Sequence, residues 1–321
     1  MDLNEIPKSA GDIKADWLTH ALRLSNVLDG QESVTEVSVE ELAEGVGFMG
    51  EVTRLHVTYS NESKNPKTMI SKIPTQDQNI RAMLAPARVF EREARFFEQA
   101  QPLIPEITAK CYHASIDAEN DNYLLILEDL SDMREGDQLS GCSLDDAAAA
   151  LEALADLHAT FWGGNNLDGF NWMPTVNNEG MKVGREVYAQ SLPGFLEAFG
   201  SSVAPENEDL VQRFGANVHQ LLDRFSTMPL TASHFDYRAD NLFFGENGLV
   251  KIIDFQTMSR HGHAEDVGYF ISQNIDIEVR RNNEDDLLRT YHKALVANGI
   301  EYSYDQLRVD YRIGLLYGWI I

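Results

Sequence analysis

Residues 234–244 read HFDYRADNLFF, and shortly after them residues 251–256 read KIIDFQ. A histidine, two aspartates and an asparagine interrupt an apolar, strand-like region, and a further aspartate follows two isoleucines directly. Asp236 stands five residues before Asn241, and Asp254 thirteen beyond it. Mg²⁺ prefers hard oxygen ligands in near-octahedral geometry and usually takes only a few from protein, with phosphates and water filling the rest. Asn241 and Asp254, at the ends of short strands expected around 242–244 and 250–253, could supply such oxygens. Asp236 would then face an incoming hydroxyl, orient it and accept its proton during phosphoryl transfer. His234 suits bracing the loop through hydrogen bonds. Asp and Asn are also common turn residues, and each alone reads as well that way. The combined pattern favours the metal and phosphate chemistry.

Outward from this stretch, the texture changes along the chain. DIKADWLTHALRLS (12–25) predicts an initial helix. From about 34 to 128 the chain is mixed, with β-branched segments around SVTEVSVEEL, GEVTRLHVTY and KTMISKIP, a helix from about 85 to 100, and the buried strand of NYLLILEDL (122–130). After the polar loop MREGDQLSG comes SLDDAAAALEALADLHATFW (143–162), where Ser143 followed by Asp146 resembles a capping signal for a long alanine-rich helix. Further helices are expected at about 185–199, 207–226, 282–298 and 304–321. The final YRIGLLYGWII is apolar to its last residue, so either the terminal helix packs in the core or the natural chain continues.

At 321 residues the chain is long enough for two domains, or one with a substantial added lobe. Cys111 and Cys142 show no CxxC spacing, which points to cytosolic thiols. The N-terminus lacks the basic start and apolar run of an export signal, and no segment reaches the roughly 20 apolar residues of a membrane span. A cytoplasmic location is expected. The formal net charge of −25, from 26 Lys plus Arg against 51 Asp plus Glu, repels phosphate backbones and anionic lipid, disfavouring nucleic-acid and membrane partners. Oligomeric state is not legible.

HFDYRADNLFF and IIDFQ resemble the catalytic and metal-binding motifs of the aminoglycoside phosphotransferase and choline kinase superfamily. LLILEDL, REGDQLSG, LADLHATFW and HAEDVGYFI extend the likeness to its ecdysteroid-kinase-like branch over about residues 40–321. The resemblance implies an α+β, two-lobed protein-kinase-like fold with a β-rich N-terminal lobe and a mainly helical C-terminal lobe. Its expected parts are a nucleotide-binding lobe with leading helix (1–127), a hinge and crossing loop (128–142) and a helical catalytic and acceptor-binding lobe (143–321). In it Asp236 corresponds to the catalytic aspartate, and Asn241 and Asp254 to the metal-binding pair.

Local patterns fit the remaining kinase parts. MISKIP places Lys72 on a strand in phase with Ile70, where it could reach ATP phosphates as the family's lysine does, or stand as an exposed strand lysine. In RVFEREARFFEQ, Val89, Phe90, Glu93 and Phe97 share one helical side, so Glu93 is an acid on an apolar stripe that calls for a partner. Lys72 is that partner by resemblance; Glu91 or Glu98 takes the role if the phase differs. EGVGFMGEV offers Gly45, Gly47 and Gly50 for close backbone approach to phosphate, or a plain hairpin turn. It is neither a Walker motif nor the kinase GxGxxG. The resemblance also implies that the backbone of Glu128 to Leu130 contacts adenine.

Arg238, two positions after Asp236, either stabilises charge on the transferred phosphoryl group or forms a salt bridge with Asp240 or Asp266. His158 reads as a core histidine hydrogen-bonded towards the catalytic loop, and Asp266 as an anchor for that loop or the following helix. His261 and His263 resemble a zinc spacing only superficially.

The expected activity is an ATP- and Mg²⁺-dependent transfer of the γ-phosphate to a hydroxyl of a small molecule. The alternatives are antibiotic phosphorylation of the aminoglycoside type and a non-catalytic nucleotide-binding regulator. The acceptor is an alcohol, with apolar and aromatic compounds among the candidates. Trp162, Phe170 and Trp172 either line its pocket or fill core, and the segments near Tyr188 and Tyr269 are further candidates for contact.

Overall fold

The structure, a computed structural model, describes residues 5–42, 50–175, 184–203 and 207–319. Contacts divide the chain into two compact units, one formed by residues up to Glu135 with Leu242–Thr257, the other by Gly136–Asn241 and Met258–Ile321.

The first unit opens with helix α1 (Ala15–Leu24) and strands β1 (Val34–Glu41), β2 (Gly50–Tyr59) and β3 (Thr68–Pro74). Helices α2 (Gln78–Leu84) and α3 (Val89–Arg95) follow, then β4 (Cys111–Asp117), β5 (Asn122–Glu128) and the short β6 (Arg134–Glu135). The first five strands form one antiparallel sheet in the order β1-β2-β3-β5-β4. Period-2 alternation gives β3 two faces. Met69, Ser71 and Ile73 are buried on one, in a core where Trp17, Leu18 and Leu22 of α1 meet Leu55, Leu124 and Ile126. Lys72 takes the other. The leading helix thus covers the face that Lys72 does not use.

The helix expected over about 85–100 is broken. Arg88 adopts φ +51° before α3 begins, and beyond Arg95 the chain continues as a π-helical turn over Phe96–Ala100. The left-handed residue separates α3 from the helical turns before it, and the wider π turn is a local irregularity often found at functional sites.

In the second unit α4 (Leu144–Thr160) starts at Ser143, whose Oγ accepts the Asp146 N–H at 3.1 Å. Its small alanines let it lie close to neighbouring helices. Then come α5 (Gly184–Phe199), α6 (Glu208–Phe225) and β7 (Thr231–Ser233). The chain next contributes β8 (Leu242–Phe244) and β9 (Val250–Ile252) to the first unit, where they pair with each other and with β6. It resumes in the second unit with β10 (Ser259–His261), antiparallel to β7, and helices α7 (Ala264–Gln273), α8 (Ile277–Ala297) and α9 (Tyr304–Gly314). Helix α4 packs mainly on α8, and α7 on α9.

The α7–α9 contact depends on two glycines. A Cβ on Gly314 would overlap the Ala264 carbonyl, and one on Gly268 would overlap the backbone at Gly314. The two backbones therefore touch, and α9 ends there in a tighter turn over Leu315–Trp319 rather than running on as one helix.

Candidate active site

In the first unit β3, α3 and the segment after β9 bring three charged groups together. Lys72 Nζ lies 2.7 Å from Glu93 Oε1 and 3.1 Å from Asp254 Oδ1. Glu93 is 4% exposed, and its other oxygen, Oε2, accepts from Gln256 Nε2 at 3.1 Å. Burial alone would lower the Lys72 pKa, but the charges of Asp254 and Glu93 outweigh it and leave the ammonium raised, so it is protonated at neutral pH. For Glu93 burial dominates and raises the carboxyl, with Lys72 opposing and Asp254 adding to the rise. The acids around the helix separate cleanly. Glu93 faces Lys72, Glu91 takes Arg95 at 2.7 Å as well as Arg88, and Glu98 is exposed.

Asp254 adopts φ +62°, a left-handed conformation that a short polar side chain tolerates best. The turn lets the carboxylate leave the line of β9 and reach Lys72. Phe255 is fully buried and stacks on Phe96, with ring centroids 3.5 Å apart.

Three other expectations also fall in this unit. The Glu128 N–H donates to the Lys110 carbonyl at 2.8 Å, and its Oε2 accepts from the Lys110 N–H at 2.9 Å. Leu130 is buried, and its carbonyl accepts from the Met133 N–H at 2.9 Å. Gly45 and Gly47 lie outside the described residues. Gly50 pairs with Pro74, and a Cβ there would stand 2.6 Å from the Ile73 carbonyl, so the strand pair itself requires that glycine.

The second unit holds Asp236, Arg238 and Asn241 on the irregular segment between β7 and β8. Asn241 is buried and donates from Nδ2 to the Asp236 carbonyl at 2.8 Å and to Asp236 Oδ2 at 3.1 Å. With its NH₂ so placed, the amide oxygen is the side-chain group it retains for a hard cation. Arg238 Nε is 3.4 Å from Asp236 Oδ1, and its NH1 is 2.8 Å from Asp240 Oδ2. Asp240 also accepts the Gln138 N–H at 2.8 Å. Of the two salt bridges weighed for Arg238, the structure forms the one with Asp240. His234 Nδ1 accepts the Asp236 N–H at 3.3 Å.

Asp266, fully buried, grips the start of this loop. Oδ2 accepts from Ser233 Oγ at 2.8 Å, the His234 N–H at 2.7 Å and His158 Nε2 at 3.1 Å, while Oδ1 accepts the Phe235 N–H at 2.8 Å. Burial pushes its carboxyl up, but the bond and charge of His158, with further help from His234 and Ser233, outweigh that and hold it below the usual range. Phe235 itself sits at φ +70°, a strained value for a bulky residue. Its carbonyl accepts from Tyr317 Oη at 2.8 Å. Tyr237 closes the far side by donating to the Ala150 carbonyl of α4 at 2.6 Å. The loop carrying Asp236 is therefore fixed from both sides of that residue.

His158 bonds Tyr291 Oη at 2.7 Å through Nδ1 and Asp266 through Nε2. His261 and His263 occupy separate surroundings. His261 contacts the Glu265 carboxylate, whereas the His263 ring lies among Trp162, Tyr302 and Tyr291, and burial followed by neighbouring His158 depresses it to about 3. Trp172 is buried and its ring lies 5.6 Å from Phe170. Phe235 and Tyr188, both partly buried, pack against a buried cluster that includes Phe214, Tyr269 and Tyr317. Burial, then the charge of Asp236, raises the Tyr269 phenol.

Sequence reasoning missed Gln256, Ser233 and Asn274, whose Oδ1 accepts the Ala239 N–H at 2.7 Å. A lone buried amide or hydroxyl carries no periodic signal. Only Gln256, quoted within the motif itself, stood where it could have been found. No described helix is long and apolar enough to cross a membrane.

A model of the ecdysteroid kinase-like family matches residues 44–304. No curated protein matches the sequence. Among solved structures, the chain is similar to choline kinase from Cryptosporidium parvum Iowa II, with TM-score 0.55 and 10% identity over 88% of this chain and 80% of that one. It is similar also to ethanolamine kinase from Plasmodium vivax, with TM-score 0.50 and 12% identity over 92% of this chain and 77% of that one. At such identities the likeness is one of fold.

Proposed function

We propose that this protein, which belongs to the ecdysteroid kinase-like family, is an ATP-dependent phosphotransferase that moves the γ-phosphate to a hydroxyl of a small molecule. The observation that carries the proposal is the Lys72–Glu93 pair with Asp254 alongside. A partly buried lysine held between two carboxylates, one of them buried, is costly to desolvate, and phosphate binding gives that arrangement a use. Two of the three Lys72 donors are engaged by Glu93 and Asp254, and the third serves a phosphate oxygen.

Asp254 and Asn241 are proposed as Mg²⁺ ligands. Their carboxylate and amide oxygens are of the hard type this ion takes, and in small number, as is usual when phosphates complete its coordination. Bound Mg²⁺ would neutralise charge on the phosphate oxygens. Asp236, fixed by Asn241 and Arg238, orients the acceptor hydroxyl and takes its proton. Arg238, already beside Asp236, would add positive charge near the transferred group. The backbone at Glu128 to Leu130 and the glycines around Gly47 are proposed to meet the adenine and phosphates of ATP.

The acceptor is proposed to be an alcohol with an apolar or aromatic body. Phe235, which adjoins Asp236 in the chain, supports this, because its partly buried ring and that of Tyr188 add apolar surface to one aromatic cluster. Replacing Asp254 with alanine tests the assignment. Mg²⁺-dependent ATP consumption should disappear while the far-UV spectrum and melting temperature stay near wild type; unchanged turnover would refute it.

A further inference from the structure

Residues 255–257 hold α3 and its π-helical extension at three successive points. Phe255 stacks on Phe96, the Thr257 carbonyl accepts from Arg92 at 3.2 Å, and between them Gln256 Nε2 donates to Glu93 Oε2 at 3.1 Å. The middle contact differs in kind, because it ends on the carboxylate that holds Lys72. Glu93 thus offers one oxygen to each partner, Oε1 to Lys72 and Oε2 to Gln256.

The amide turns its NH₂ towards Glu93, with Nε2 and not Oε1 facing the carboxylate. Gln256 is 2% exposed, and with this orientation its Oε1 is buried without a partner. Leaving a buried carbonyl unsatisfied is unfavourable. The bond to Glu93 is what accounts for the amide standing that way.

We infer that Gln256 is a positioning residue, which holds Oε2 of Glu93 so that Oε1 stays on Lys72 and the ammonium keeps a donor for the nucleotide phosphates. The inference rests on the phosphotransferase reading above. Without Gln256, Oε2 loses its donor, and the carboxylate is free to rotate about its last bond. Both oxygens can then compete for Lys72 and draw its third donor away from the nucleotide.

The test uses the full chain and ATP with Mg²⁺. Gln256→Met keeps length and volume but removes the donor, and should weaken the Kd for ATP by about 10- to 100-fold, the range for a hydrogen bond to a charged group. In a Glu93→Ala background the same substitution should change Kd by less than about twofold, since its target is gone. Additive losses in the two backgrounds would overturn the inference. A second measurement needs no nucleotide. The Gln256 side-chain NH₂ should exchange slowly with solvent by NMR, and Glu93→Ala should abolish that protection. Fast exchange in the unmodified protein would overturn the inference even if phosphate transfer is found. A protected amide in a protein that neither binds nor uses ATP would instead overturn the functional reading while upholding the contact with Glu93.

Discussion

Replacing Asp266 with asparagine exchanges one carboxylate oxygen for NH₂ at nearly constant shape, at a site where four donors converge and nothing is exposed. The amide oxygen will take the Oδ2 position, which serves Ser233, His234 and His158. The NH₂ is then forced against the Phe235 N–H, where the wild-type bond is 2.8 Å. One charge-assisted bond is lost, at about 1.5–3 kcal/mol, and the other three become neutral and weaker. The expected loss is about 3–5 kcal/mol, the size seen when one partner of a buried charged network is removed. Phe235, no longer gripped, can leave its strained φ, whose cost is about 1–3 kcal/mol, and Asp236 moves with it.

Urea unfolding of wild type and variant at neutral pH, with equal slopes, measures this difference. The carboxyl is held below its ordinary range, so its contribution is present above the unfolded-state value near 3.9 and is lost as pH falls through the folded value. The gap between wild type and Asp266→Asn should therefore be constant from neutral pH down to about 4 and narrow only below it. A gap under about 1 kcal/mol at neutral pH, against the bond energies used here, or one that stays unchanged in acid, would refute the reasoning.

Gly314→Ala should destabilise by about 3 kcal/mol or more, read by thermal or urea melts, because the new methyl overlaps the Ala264 carbonyl and the helices must separate. A melt within error of wild type would contradict the close α7–α9 contact. Lys72→Met should leave the fold intact, lower ATP turnover by at least about 100-fold, and push Glu93 further towards its neutral form, visible as a later carboxyl titration by NMR. With a formal net charge of −25, the melting temperature should rise as NaCl increases from low to physiological ionic strength, since screening relieves self-repulsion. A fall over that range would show that specific ion pairs outweigh the net charge.

The parts of this fold that were legible in sequence are those with a period or a cap. Alternation marked β3 with Lys72 opposite Met69 and Ser71, and Ser143 marked the start of α4. The spacing of Asp236, Asn241 and Asp254 marked the loop segments. Strand β4 was missed because His113 and Ser115 dilute its apolar pattern at the sheet edge, where it needs only one partner. Strands β7 and β10 are too short for any periodicity. Helix α7 is only ten residues long and buries Glu265 and Asp266 along with its apolar residues, so polarity in its sequence does not mark which side faces out. Linear order also does not reveal that Leu242–Thr257 packs with the first unit, which is what brings Asp254 to Lys72. Polar anchors such as Gln256 and Asn274 become visible only when the donors they meet are in place.

³¹P NMR of the purified protein with ATP, Mg²⁺ and a mixed library of hydroxylated small molecules, weighted towards apolar and aromatic alcohols, should show a new phosphate-ester signal that Asp236→Ala does not produce. The same signal from both proteins, or ATP left intact by a protein shown to bind none, would contradict phosphate transfer at this site.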